Sequence, residues 1–187
     1  APERIARIRK ELMTIDDSRN TMISAFVPWS DGHIIQRDSV DLIYSQAVLE
    51  HIDDLESLFR AMQEWLKPGG MMSHSIDFGS HGITPSWNGH WMFSDLEWWI
   101  ARGGKRFLIN RNPCSTYMRL HAENRFNVME QVRRSAQNNL PRERLARRFR
   151  GMTDEDLSTC GIYIMSKKLL SAKPRANQET VSCVEQS

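Results

Sequence analysis

The stretch from Ser39 to Phe78 constrains the fold of this chain more than any other. In SVDLIYS (39–45), Val40, Leu42, Ile43 and Tyr44 leave little alternation, the pattern of a strand buried on both faces, as in a parallel sheet. Leu55, Leu58, Phe59, Met62, Trp65 and Leu66 then recur at spacings of three and four and form one apolar face of a helix. Asp53, with Glu56 three residues on, suits the start of that helix, and KPGG (67–70) suits its end. MMSHSIDF (71–78) reads as a second strand. Strand, helix, glycine turn and strand make a βαβ unit, whose two strands run parallel.

The flanking segments supply further elements. Ile5, Ile8 and Leu12 form one stripe of an amphipathic helix over residues 3–13, and TMISAFV (21–27) reads as a short strand stopped by Pro28. SDLEWWIARGG (94–104) combines a capping box, a Leu96, Trp99, Ile100 stripe and a glycine stop. Tyr117 and Leu120 indicate a helix, FNVMEQV (126–132) a strand, and GIYIMSKK (161–168) a final strand. The run RRSAQNNLPRERLARRFR (133–150) holds seven Arg and one Glu. Leu145 and Phe149 give it the apolar side of a last helix, with the arginines as its solvated face. From Ser171 on, no period and few large apolar residues remain, so 171–187 is expected to be a disordered tail behind a domain spanning 1–170.

Composition excludes several classes. At 187 residues and 40% hydrophobic content the chain can bury one core, and no apolar run approaches the roughly 18 residues of a membrane span. A formal net charge of +2 argues against nucleic acid as a partner of the whole molecule. Three cysteines, at 114, 160 and 183, show neither CxxC nor zinc-type spacing and fit a reducing, cytoplasmic setting. No secretory signal is visible at the N-terminus.

SVDLIYSQAVLEHIDD followed by LFRAMQEWLKPGG resembles the central part of the class I S-adenosylmethionine-dependent methyltransferases, over roughly residues 20–80. WNGHW, INRNP and EDLSTCGIYIMSKK resemble the substrate-side half of members that act in sugar or lipid pathways. The resemblance implies an α/β fold with a Rossmann-like sheet, mostly parallel, with helices on both faces. It implies S-adenosylmethionine as cofactor, bound over the carboxyl ends of the strands. By position Ser45, Gln46 and Ala47 would line its methionine end, and His51 would sit at the first turn of the next helix. The family's glycine-rich loop has no counterpart, since no GxGxG occurs. Asp16 and Asp17 follow a helix, so the acid that grips the ribose has none either. The expected sheet is therefore incomplete on its N-terminal side, as in a truncated gene product, and its exposed edge would favour a homodimer.

Methyl transfer to a hydroxyl needs alignment and a proton acceptor. SHSIDFGSHGITPSWNGHW (73–91) supplies His74, Asp77, His81 and His90 at and beyond the end of the second strand, with Asp77 and His81 foremost as general base. The acceptor would be a small molecule, a sugar or a lipid-linked glycan. Two other readings stay open: a non-catalytic binding or scaffold protein, and a metal-dependent enzyme using the His-rich loop 74–90. Against a metal, no tight HxH or HxxxH pair is present.

Overall fold

A computed structural model describes residues 2–13, 23–26, 32–105, 107–137 and 139–170. They fall into two units, Ala1–Arg37 and Asp38–Ser187. In the first unit, α1 (Pro2–Leu12) forms as its periodicity predicts, but buries no residue. Residues 23–26 have no regular structure; the rest of the expected strand lies outside the described residues, as does the tail 171–187.

The second unit is built on β1 (Val40–Gln46), α2 (Leu55–Trp65) and β2 (Leu66–Asp77), the expected βαβ unit. Then follow α3 (Asp95–Arg102), α4 (Cys114–Glu123), β3 (Phe126–Ser135), α5 (Asp154–Ser158) and β4 (Thr159–Lys168). The sheet order is β1-β2-β4-β3. β1 pairs parallel with β2, while β4 pairs antiparallel with both β2 and β3. Three strands thus run one way and β4 runs against them.

The core lies on one face of this sheet. Met72, His74, Ile76, Ile162 and Ile164 meet Phe59, Met62 and Trp65 of α2 and Tyr117, Leu120 and His121 of α4, all buried. The Phe59 ring stands 5.0 Å from that of His121 and 6.3 Å from that of Phe126. Strand alternation sends Leu42, Tyr44, Met71 and Ser73 to the opposite face. There Leu42 is 58% and Tyr44 65% exposed, so β1 is not buried on both faces. Among the described strands it is an edge, and its apolar run has neighbours on one side only.

Several local features differ from what the sequence pattern predicts. The cap of α2 is Asp54, which accepts from the Ser57 amide at 3.0 Å; Asp53 instead pairs with Arg102 at 2.7 Å. KPGG does not form a separate turn: β2 starts at Leu66, and Gly69, at φ 81°, lies within it beside an irregularity in the β1 ladder. In α3 the capping box of Ser94 and Glu97 and the glycine end at Gly103 are as predicted. Its Leu96, Trp99, Ile100 stripe faces solvent, however, and Trp98 is the buried residue.

The arginine-rich run is not a helix. Its first arginines, Arg133 and Arg134, belong to β3, and after Pro141 the chain makes two short 3-10 turns, Arg142–Arg144 and Arg147–Phe149. Leu145 and Phe149 do pack, against Trp91 and Leu157. The guanidinium groups hold this irregular segment: Arg142 donates to the Arg150 carbonyl at 2.6 Å and pairs with Asp154, Arg133 pairs with Glu155, and Arg150 donates to the Leu145 carbonyl at 2.8 Å. Side chains satisfy the carbonyls that a helix would have bonded internally.

Candidate functional site

The carboxyl ends of β1 and β2 lie side by side, and the chain leaves both by backbone turns that L-residues seldom adopt. Ala47, directly after β1, has φ 51°, and His81, just beyond β2, has φ 50°. A third such residue, Arg111 at φ 66°, lies in the segment before α4. Each costs on the order of 1–2 kcal/mol, and surrounding bonds must hold it. For Ala47 the amide donates to the Ser75 carbonyl at 2.9 Å. For Arg111 the carbonyl accepts from Trp91 Nε1 at 3.0 Å, and the guanidinium donates to the Phe93 carbonyl at 2.8 Å. That guanidinium also stacks 4.8 Å from the Trp98 ring and 5.1 Å from Phe149.

Beside these turns lies a small cleft, with room for about one water molecule, lined by Glu50, Asp77, Gly79, His90, Asn110 and Asn112. Glu50 is its most constrained group. The residue is 2% exposed, its Oε1 accepts from the Asp77 amide at 3.3 Å, and its Oε2 is buried without a hydrogen-bond partner. Burial pushes its carboxyl above the usual carboxylate range. Asn110 ties the cleft's walls together: its amide donates to the Glu50 carbonyl at 2.7 Å and its Nδ2 to the carbonyls of Leu49 and Ile52.

The residues expected from sequence to act separate into two groups. Asp77 and His81 meet, with Asp77 Oδ2 3.9 Å from His81 Nε2, while Asp77 Oδ1 accepts from the Gly79 amide at 2.8 Å. The His51 ring lies edge-on to His81, centroids 5.1 Å apart, and its Nδ1 is buried without a partner. His90 borders the same cleft but is buried against Trp91, and desolvation lowers its pKa to about 3. His74 is apart from them. It points into the core under α2 and α4, fully buried, where burial first and His121 second lower its pKa to about 4.

Of the strand-end residues, Ser45 shares a 2.8 Å hydrogen bond with His74 Nδ1, so its hydroxyl turns to the core. Gln46 is exposed and accepts from the Tyr44 hydroxyl at 2.8 Å. Gln46 and Ala47 are exposed at the carboxyl end of β1, where the polar methionine end of a sulfonium cofactor would lie. The adenosine end has no glycine-rich loop in the sequence to receive it. Sequence reasoning missed Asn110 and Arg111 and gave Glu50 only a helix-terminus role. INRNP (109–113) stands out in the sequence, but nothing local to it says that Asn110 bonds the turn after β1.

A family model for the methyltransferase domain matches residues 10–73. The structure aligns with an S-adenosylmethionine-dependent methyltransferase from Mesorhizobium loti: TM-score 0.51, 17% identity, 90% of this chain and 77% of that one. This is a methyltransferase fold. An S-adenosylmethionine-dependent methyltransferase from Methanosarcina mazei aligns at a TM-score of 0.51 with 13% identity, over 88% of this chain and 78% of that one. No curated protein matches the sequence. No helix among the described residues is long and apolar enough to cross a membrane.

Proposed function

We propose that the chain methylates a hydroxyl-bearing small molecule, a sugar or a lipid-linked glycan, with S-adenosylmethionine as methyl donor, in the cytoplasm. One observation carries this reading: acid, imidazole and amide side chains gather around a small cleft where the parallel strands β1 and β2 end, in a fold shared with methyltransferases. The sulfonium supplies an activated methyl group. Gln46, the Ala47 turn and His51 would border its methionine end. Asn110, Asn112 and His90 would bind the acceptor's polar atoms, and Asp77, held by the Gly79 amide and flanked by His81, would take the acceptor's proton. We give no catalytic part to His74 or to the Ser45 hydroxyl, because each is engaged with the other on the core side of the sheet.

A second reading is a binding or scaffold protein that keeps the sheet without binding the cofactor. Calorimetric titration with S-adenosylmethionine and with S-adenosylhomocysteine separates the two. Saturable heat near one equivalent, weakened when the Ala47 turn is altered to Ala47→Val, supports methyl transfer. Absence of heat from protein that melts cooperatively defeats it.

A further inference from the structure

We infer that Glu50, His51 and His81 form a binding site for a divalent transition cation of the zinc class. The three come from different parts of the fold: Glu50 and His51 from the 3-10 turn after β1, and His81 from the loop after β2. Each offers one ligand atom, and all three atoms lie within 4.8 Å of one another. One carboxylate oxygen with two imidazole nitrogens is a donor set that zinc and related cations take, leaving further positions open.

The second observation is the state of the donors. Glu50 Oε2 and His51 Nδ1 are both buried, and neither has a hydrogen-bond partner. Buried polar atoms almost always have one, and a carboxylate shut away from water without one is costly. A cation bound through these two atoms would satisfy both at once. In a tetrahedral site with bonds of about 2.0–2.1 Å, neighbouring ligand atoms stand roughly 3.3 Å apart, so the cluster must contract by about 1.5 Å at most. His81 can supply that movement, since it is exposed and sits on a loop, whereas Glu50 is fixed by the Asp77 amide and by Asn110. Asp77, 3.9 Å from His81 Nε2, is placed to orient that imidazole as carboxylates commonly orient metal-bound histidines. Glu50 also lines the small cleft, which has room for about one water molecule beside such a cation.

The assignment does not rest on methyl transfer, and its test needs no sulfonium. Untagged full-length protein, stripped with chelator, is titrated with Co²⁺ by visible absorption and with Zn²⁺ by calorimetry. The expected result is one equivalent of Co²⁺ with the intensified bands of a low-coordinate site, displaced by Zn²⁺. His81→Asn, which keeps a residue tolerant of the turn at φ 50°, and Glu50→Gln should each weaken Zn²⁺ at least about tenfold. Binding absent from the parent protein, or equally tight in both variants, overturns the site. Should Glu50→Gln fail to fold, His81→Asn decides alone, because its side chain makes no core contact that folding needs.

Discussion

Single residues set the acid sensitivity of this protein. His74 and His90 are buried as neutral imidazoles, with pKa values lowered to about 4 and about 3, while in the unfolded chain both titrate near the ordinary 6.5. Between those limits the unfolded state binds protons that the folded state refuses, so stability is full above pH 6.5 and falls as pH drops. Each histidine contributes up to about 1.4 kcal/mol per pH unit across its window. Chemical denaturation from pH 7 to 4.5 should show this slope, and His74→Asn should flatten it; an unchanged slope would remove His74 as a source. Arg111 acts through packing and hydrogen bonds. Arg111→Ala removes two aromatic stacks and the donor to the Phe93 carbonyl and should cost about 2–3 kcal/mol, read as a lower urea midpoint at constant m-value. Arg111→Lys should recover less than half of that, because an ammonium cannot span both rings and the carbonyl.

At the scale of elements, the β1–β2 pair carries the candidate site, and its register hangs on Gly70. A Cβ there would stand 2.9 Å from Leu66 Cδ2, 3.0 Å from the Lys67 carbonyl and 3.1 Å from the Val40 carbonyl. Two of those neighbours are backbone and cannot swing aside. Gly70→Ala should therefore cost about 1–3 kcal/mol and raise amide exchange along Val40–Gln46. Exchange rates in β1 equal to those of the parent would refute the dependence. The α3 cap makes a plainer case: Ser94→Ala should lower stability by about 1 kcal/mol, seen in thermal melts, and leave S-adenosylmethionine titration unchanged. The same helix shows how far periodicity reaches. Its ends were legible because capping is chemistry between residues three apart. Its buried side was not, because Leu96, Trp99 and Ile100 are as apolar as Trp98, and only the position of Arg111 and Phe93 selects which of them is covered.

For the molecule as a whole, charge and edge matter most. Of the arginines between 133 and 150, Arg133, Arg142, Arg148 and Arg150 engage Glu155, Asp154, Asp95 and main-chain carbonyls. Among the described strands β1 is an edge, and it presents Leu42 and Tyr44 on its exposed face, an arrangement that invites association. Light scattering should report concentration-dependent self-association that Leu42→Lys reduces without lowering the melting temperature by more than a few degrees. Association unaffected by that change would place the contact elsewhere.

By itself the sequence determined the elements of the sheet unit and their order, because helix and strand periods, caps and prolines act within a few residues of one another. It also carried the likeness to the methyltransferases, in a motif that is continuous along the chain. What only the tertiary structure decided is which polar residues meet. His74 and Asp77 are neighbours on one strand, yet alternation sends the first into the core and the second to the cleft. Glu50 and His81 are far apart in the chain, and no spacing rule links them; they come together because two parallel strands end at the same level. That shared level is a property of the β1–β2 register, set by hydrogen bonds between distant backbones.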